Sequence, residues 1–305
     1  MSFSIISDVI PSARRGKAMG TVMSAFSVAS VLGVPLGLYL AETFGWRAPF
    51  LSVAGLGAAV ALGAVSLLPP LRLHLESARR ERPTTTRELL GRPLVRLSYL
   101  MTATVMMAGF SIIPNISAYL QGNLGYPRAG LKWLYLVGGV ASYVSVRLVG
   151  GLVDRFGSFR TGSVGAALLF AATFAFFFAA VPGIPPMALF VVFMTAMAFR
   201  NVSHTTLTTK VPRPFERARF QSFQSAVQHA ASAAGAFLSA HLLTVVPLTG
   251  EGGQPRLDEH GKALVRLEGM PRVALFAMAL TAALPLLLRW VEAGVRRRDA
   301  APPGC

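Results

Sequence analysis

The chain has 305 residues, of which 53% are hydrophobic and only 14% are charged, and its formal net charge is +16. A soluble domain usually carries about 25% charged residues, so this composition excludes an ordinary soluble protein. The positive charge would suggest nucleic acid as a partner, but the basic residues lie in short gaps between long apolar runs, which excludes that function too. The one cysteine is the last residue, Cys305, so no internal disulfide and no cysteine-based metal site can form. We expect no metal and no cofactor.

Eight apolar stretches are long enough to cross a bilayer, which takes roughly 20 residues each. Because a segment in lipid must satisfy its own backbone hydrogen bonds, each stretch is expected to be a helix. The sequence therefore predicts an all-α fold, a polytopic bundle of membrane helices. The predicted spans, in chain order, are Ala18–Ala41, Pro49–Leu71, Val95–Leu120, Gly130–Leu152, Gly162–Val181, Pro186–Leu207, Gln221–Val246 and Val273–Trp290.

Lysine and arginine are unevenly distributed between alternate gaps. With Met1 on the cytoplasmic side, the inner segments hold 20 of the 29 basic residues and the outer segments hold 7, while Arg147 and Arg200 lie inside spans. Basic residues accumulate on the cytoplasmic side of membrane proteins. The pattern predicts a multi-pass protein of the cytoplasmic (inner) membrane with both termini in the cytoplasm.

Two connections divide the chain. Arg72–Leu94 is a basic linker between the first two spans and the six that follow, and Leu248–Pro271 is an outward loop rich in glycine and charge. The resulting division is a first unit at 1–71, the cytoplasmic linker at 72–94, a six-helix unit at 95–295 and a cytoplasmic tail at 296–305.

A short motif recurs where two spans six apart begin. Pro11 is followed by the basic tripeptide Arg15–Lys17, and Pro212 by Arg217–Arg219. A six-helix parallel repeat implies a twelve-helix parent. By that count the first full span is helix five, Ser2–Asp8 is the stub of helix four, and the chain is N-terminally truncated. A search for four more apolar spans upstream of Met1 would separate a misplaced start from a gene remnant.

The connection between the fourth and fifth spans carries the most specific motif in the chain. Residues Gly150–Arg160 read GGLVDRFGSFR. They resemble the Gly-x-x-x-Asp-Arg-x-Gly signature between helices eight and nine of the major facilitator superfamily. The residues that match or keep a basic position are Gly150, Asp154, Arg155, Gly157 and Arg160.

The first span adds a second resemblance. Leu32–Gly37 and Gly45–Phe50 are similar to the fifth helix and following loop of arabinose-efflux-type and drug-efflux permeases. The resemblance implies eight transmembrane helices, five to twelve, of a twelve-helix major facilitator fold. It further implies a transporter of small molecules, of the sugar or drug efflux type, which works by alternating access and is proton-coupled in its full-length parent. The alternatives are a transport-inactive fragment, or an interaction partner of another membrane protein. We expect these 305 residues alone not to transport.

In the superfamily this loop acts as a latch between the two halves. A carboxylate at Asp154 can bind the positive N-terminus of a neighbouring helix, here the helix that follows Arg15. The alternative is an ordinary basic turn. The latch candidates are Arg15, Gly150, Asp154, Arg155, Gly157 and Arg160.

The first span also contains a stripe of small residues. Gly33 and Gly37 are four residues apart and would allow a close helix contact, and Pro35 would kink the helix and act as a hinge. Simple packing is the alternative reading of all three.

Several polar or charged residues lie inside spans and are candidates for a substrate pathway. Intramembrane arginines are costly and are functional candidates by default, although snorkelling to the surface is an alternative. Polar stripes suit a water-filled cavity, although hydrogen bonding between helices explains them as well. The candidates are Asn115, Tyr119, Gln121, Arg147, Arg200, Gln224 and Gln228. His204 and His229 are single histidines, for which a packed position is favoured over a proton relay.

None of the 13 acidic residues lies in the middle of a span. A proton-binding carboxylate, if the parent uses one, would then lie in the absent helices or at Asp8. The sequence also lacks the His-Glu-x-x-His and Gly-x-Ser-x-Gly patterns of membrane hydrolases, so we expect no enzyme.

Overall fold

The computed structural model describes residues 14–29, 33–67, 85–213, 216–249 and 264–300. The stub Ser2–Asp8, the motif residue Pro11 and most of the linker therefore lie outside the described residues. The helices are α1 Arg15–Val28, α2 Val34–Phe44, α3 Ala48–Leu67, α4 Thr86–Gly91, α5 Pro93–Ile112, α6 Ile116–Gly122, α7 Arg128–Phe156, α8 Ser158–Thr173, α9 Pro186–Thr208, α10 Arg217–Leu242 and α11 Met270–Ala300. A 3-10 turn, Ile113–Asn115, joins α5 to α6, and a π-helical turn, Phe174–Phe178, extends α8.

The predicted all-α membrane bundle is confirmed. Within the described residues, six helical segments are long and apolar enough to cross a membrane. These are Ala48–Ser66, Pro93–Gly122, Arg128–Phe156, Ser158–Phe178, Pro186–Thr208 and Met270–Ala300. The other two predicted spans correspond to α1 together with α2, and to α10, which carries more polar residues.

The first predicted span is described as two helical stretches. Helix α1 ends at Val28 and α2 begins at Val34, and residues 30–32 between them lie outside the described residues. The backbone at Gly33 is itself helical. The kink predicted at Pro35 therefore stays a prediction.

The seventh predicted span is too long at its C-terminal end. Helix α10 stops at Leu242, and Val246 belongs to a β-strand, so the prediction of helix to Val246 is wrong. Strand β1 (Thr244–Pro247) comes directly before the predicted outward loop and pairs antiparallel with β2 (Val265–Glu268), which lies within that loop. The β-branched residues of β1 favour a strand once the chain leaves the bundle.

The side chain of Asn123 anchors this two-stranded ribbon to the bundle. Its Nδ2 donates to the carbonyl of Leu267, and its Oδ1 accepts from the N–H of Leu267, both at 2.9 Å. Gly122 lies against the backbone of Val265 so closely that a Cβ there would overlap the carbonyl oxygen. This side of the bundle is called the ribbon end, and the side with Gly150–Arg160 is called the loop end.

Helices α5 to α11 form one packed unit. Helix α5 packs against α10 and α11, α8 packs against α9 and α11, and α9 packs against α7. Glycines allow two of these helix pairs to approach closely. A Cβ at Gly165 of α8 would lie 2.7 Å from the backbone nitrogen of Arg200 of α9, and a Cβ at Gly235 of α10 would lie 2.6 Å from the carbonyl oxygen of Met107 of α5. Aromatic residues of α6, α9 and the π-helical turn fill the core toward the ribbon end.

Helix α1 packs against α7 of this unit, and Gly20 forms the closest contact between them. A Cβ at Gly20 would lie 2.7 Å from the carbonyl oxygen of Val146 and 3.5 Å from the Cα of Gly150. By contrast, no described atom lies within 4 Å of a Cβ at Gly33 or Gly37. The close helix contact predicted for Gly33 and Gly37 is therefore not made with the described helices, and Gly20 makes one instead.

Helix α3 lies apart from the packed unit. Its main contact is with α2, and none of its apolar span Ala48–Ser66 is buried. Leu51 and Val65 are 70% and 86% exposed. Such a surface is stable in lipid or against further helices and not in water.

The described part of the predicted linker is ordered. Thr85 caps α4 through a capping box, in which its hydroxyl accepts from the N–H of Glu88 and the Glu88 carboxylate accepts from the N–H of Thr85. Helix α5 begins at Pro93, and α11 continues to Ala300. The helices thus extend past the predicted unit limits at 95 and 295.

Candidate functional site

The loop end contains a contact that joins the first unit to the six-helix unit. The Asp154 carboxylate, near the C-terminus of α7, accepts a hydrogen bond of 2.9 Å from the backbone N–H of Lys17. Lys17 is the third residue of α1, so the carboxylate satisfies one of the free N–H groups of that helix end and meets its positive dipole. The structure thus brings Asp154 to the helix that the sequence indicated. The side chain of Arg15 lies outside what the structure describes.

A second carboxylate holds the other side of the same loop. Glu292 of α11 accepts from the backbone N–H of Phe159 at 2.6 Å and from Arg296 Nη2 at 2.6 Å. Phe159 is the second residue of α8, so Glu292 caps α8 as Asp154 caps α1. Sequence analysis missed Glu292, because its local pattern, a glutamate four residues before an arginine, indicates only a pair on the helix surface.

Gly157 forms the turn between these two caps. Its φ is +88°, a backbone conformation that residues with a side chain rarely adopt. A Cβ there would also lie 3.1 Å from Glu292 Oε1. Both observations explain why the motif has glycine, and not a residue with a side chain, at position 157. Arg155 and Arg160 are exposed, and the Arg155 guanidinium lies 5.2 Å from the ring of Phe156.

A polar network lies in the core of the six-helix unit, and Thr102 of α5 is its centre. The Thr102 hydroxyl donates to the carbonyl of Ser98 at 3.1 Å and accepts from Gln224 Nε2 of α10 at 2.5 Å. It also lies 2.9 Å from His204 Nε2 of α9. Because the hydroxyl proton is already used, the network assigns the imidazole proton to Nε2. One threonine therefore links three helices.

This network leaves acceptor atoms unpaired. His204 Nδ1 and Gln224 Oε1 are buried and have no hydrogen-bond partner among the described residues. A buried polar atom without a partner is costly and calls for a functional or hydration explanation. Sequence analysis identified Gln224 but not its partners, since no sequence signal places Thr102 beside it.

Arg200 lies one helical turn before His204 and is 3% exposed. Its Nε donates to Asn201 Oδ1 at 3.2 Å, and its Nη2 contacts Met197 Sδ at 2.9 Å. The Nη2 atom also lies 3.2 Å from the position of a Cβ on Gly109 of α5. The guanidinium therefore lies between α9 and α5, with neutral neighbours.

The other intramembrane arginine has a different environment. Arg147 of α7 is exposed, and its guanidinium lies 5.0 Å from the ring of Tyr143. This placement is that of a long basic side chain lying along a helix surface. Of the two arginines indicated by the sequence, only Arg200 is buried.

The remaining pathway candidates divide between the core and the surface. Tyr119 is buried, and its hydroxyl donates to the carbonyl of Phe176 at 2.9 Å. Asn115 Nδ2 donates to Ser239 Oγ of α10 at 2.6 Å, and Gln121 Nε2 donates within its own helix. Gln228 is exposed on α10. Tyr119 and Asn115 therefore make hydrogen bonds between elements of the bundle, and their place in a substrate pathway stays a prediction.

Comparison with known proteins supports the fold described above. The family model of the Major Facilitator Superfamily matches residues 1–247. A bacterial homologue of the iron transporter ferroportin, solved in an outward-facing state, superposes with a TM-score of 0.62 at 13% identity over 95% of this chain and 67% of that one. The human organic anion transporter MFSD10 (TETRAN) superposes with a TM-score of 0.63 at 15% identity over 94% of this chain and 66% of that one.

These structural similarities show the fold, and this chain spans about two thirds of the length of each relative. The family match covers the α1–α7 contact, the Gly150–Arg160 loop and the polar network. The chain belongs to the Major Facilitator Superfamily.

Proposed function

We propose that the protein is a transmembrane transporter of small molecules that works by alternating access. In this mechanism two groups of helices rock about a site near the middle of the membrane. The observation that carries the proposal is the Asp154–Lys17 hydrogen bond. It joins a helix of the first unit to the six-helix unit at the loop end, where a rocking motion can break and re-form this hydrogen bond.

The packing of the two units supports this proposal. Helix α1 meets the six-helix unit mainly along α7, with a smaller contact to α9. The buried polar residues Thr102, Arg200 and His204 lie on α5 and α9, within the other unit. The first unit therefore meets the six-helix unit mainly along one helix pair, which supports a rocking motion of the two units against each other.

We further propose that additional helices cover the faces that this chain leaves exposed. Helix α3 buries none of its apolar span, and α10 exposes Phe237 to 68%. The solved relatives are about half as long again as this chain. Transport is therefore proposed for the protein with those helices present, encoded with the chain or supplied by a partner, and the 305 residues alone are expected to be inactive.

The resemblance of the first span supports a proposal for the direction and type of transport. We propose efflux of sugar-like or drug-like molecules, driven by protons, across an inner membrane in which both termini and the loop end are cytoplasmic. Because no acidic residue lies in the middle of a span, the proton-binding group belongs to the covering helices or is Asp8. No enzymatic activity is part of the proposal.

A susceptibility screen over many compounds tests this function while the substrate is still unidentified. A host deprived of its own efflux pumps would express the 305-residue chain, or the same gene extended in frame upstream of Met1. The inhibitory concentrations of a panel of toxic sugars, dyes and antibiotics would then be compared. We expect at least a fourfold increase for one compound with the extended gene, lost in Asp154→Ala, and none with the short chain.

Two results would contradict the proposal. The first is that no inhibitory concentration differs from that of the empty host, either with the extended gene or with the 305-residue chain co-expressed with a protein that supplies the missing helices. This result would argue against transport. An increase with the 305-residue chain alone would show that no further helices are required.

A further inference from the structure

The buried guanidinium of Arg200 lacks an anionic partner. Its contacts are a side-chain amide oxygen, a thioether sulfur and the space beside Gly109. In the part of the chain that the structure describes, no carboxylate lies within 4.0 Å of it, and Nη1 donates no hydrogen bond. A charge taken out of water without an opposite charge is strongly disfavoured.

The neighbourhood of Arg200 carries a single positive charge. Thr102 and Gln224, which join His204 in one hydrogen-bonded network, are neutral. His204, one turn along α9, is assigned a single ring proton by its hydrogen bond to Thr102. One monovalent anion would therefore neutralise this site, whereas a divalent anion would leave a net negative charge.

Arg200 is surrounded by apolar side chains on the side of Gly109. Gly109 faces the guanidinium without a side chain, and a Cβ there would lie 3.7 Å from Ile113 Cδ1 and 3.9 Å from Met197 Cε. Ile113 and Phe110 are 36% and 39% exposed, and Met197 is partly exposed. The charged group is thus reached past hydrophobic side chains that lie at the surface of the bundle.

We propose that Arg200 binds the carboxylate of a monovalent organic anion whose apolar part packs on Ile113 and Met197. A guanidinium presents its donors in a planar fork that matches the two oxygens of a carboxylate. A side chain at 109 would crowd Nη2 at 3.2 Å, so the glycine leaves this edge of the guanidinium uncovered, and a bound carboxylate would displace the ends of Ile113 and Met197. This inference deepens the proposed function, on which it rests, by naming a substrate class for the same transporter.

An equilibrium binding measurement tests the site without requiring transport. The purified chain in lipid nanodiscs would be heated with acetate, benzoate or 1-naphthoate, and with benzamide as a neutral analogue of benzoate. We expect the melting temperature to rise by several degrees with benzoate or 1-naphthoate and to stay unchanged with benzamide. Phthalate, the divalent analogue, should bind at least tenfold more weakly than benzoate.

Matched variants assign the binding to one residue. Arg200→Gln should abolish the rise in melting temperature. Arg200→Lys keeps the charge but not the planar pair of donors, so it should weaken binding at least tenfold. The lysine variant provides the test if the glutamine variant does not fold. Arg147→Gln, which removes the exposed arginine of another span, should leave the shift unchanged.

The inference is overturned if none of the three carboxylates stabilises the protein, or if benzoate stabilises Arg200→Gln as well as the original chain. Binding without any transport by the extended protein would count against the proposed function but not against the site. Transport by the extended protein without carboxylate binding would count against the site but not against the proposed function.

Discussion

The carboxylate of Asp154 accepts a hydrogen bond from the backbone N–H of Lys17, 137 residues earlier in the chain. This contact connects the C-terminal end of α7 to the N-terminal end of α1. The two helices also cross closely at Gly20 and Gly150. A backbone crossing and a carboxylate cap therefore fix the same pair of helices at the loop end.

The close crossing predicts that Gly20→Ala destabilises the protein. The new Cβ would lie 2.7 Å from the carbonyl oxygen of Val146, so one helix must shift, and overpacking of this kind costs about 1–3 kcal/mol. Urea unfolding of the purified chain in detergent micelles measures the loss. Gly37→Ala, where no described atom is near, is the control and should be neutral or stabilising by up to about 1 kcal/mol. Equal effects of the two substitutions would contradict the packing.

The polar network predicts a large difference between two threonines of α5. Thr102→Val removes the acceptor for Gln224 and His204, and each buried donor left without a partner costs about 1–3 kcal/mol. Thr104→Val removes only a bond to the carbonyl of Leu100 in the same helix and should change the free energy of unfolding by less than about 0.5 kcal/mol. The same unfolding measurement applies. Similar values for both variants would show that Thr102 does not link the helices.

The turn of the loop predicts that Gly157→Ala is unfavourable. At a φ of +88° the alanine is strained, at a cost of about 1–3 kcal/mol, and its Cβ would crowd Glu292. Gly151→Ala is the control, because it has no neighbour within 4 Å and lies in a helix. The difference in unfolding free energy between the two variants checks this. A more stable Gly157→Ala would contradict the described turn.

The proposed orientation predicts the reactivity of the single cysteine. Cys305 is the last residue, and with a cytoplasmic C-terminus it should not react with a membrane-impermeant maleimide in intact cells. Permeabilised cells should give full labelling. Labelling in intact cells would place the C-terminus and the loop end outside.

Sequence reasoning succeeded where one physical cause dominates. Long apolar runs predict helices because lipid offers the backbone no partners, and the spans from α5 to α9 follow that rule. The motif around Asp154 indicated the contact with α1, since a carboxylate at a helix end seeks exposed N–H groups.

It failed where the outcome depends on which helices become neighbours. Arg147 and Arg200 have similar sequence surroundings, yet one lies on the surface and the other between α5 and α9. The cap supplied by Glu292 to α8 joins residues 133 positions apart, beyond any local pattern. The strand at Val246 was mistaken for helix because an apolar run of that length does not by itself distinguish the two.

The most direct test of the account measures the distance between α1 and α7 when the Asp154 contact is removed. Spin labels on cysteines at Ala25 and Leu148, both exposed, would be introduced with Cys305→Ser, and their distance distribution recorded by pulsed electron resonance in nanodiscs. With Asp154 present, we expect a dominant short distance. Asp154→Ala should add a longer-distance population, while the control Asp299→Ala, at an exposed carboxylate elsewhere, should not. An unchanged distribution in Asp154→Ala would contradict the claim that this carboxylate holds the two units together.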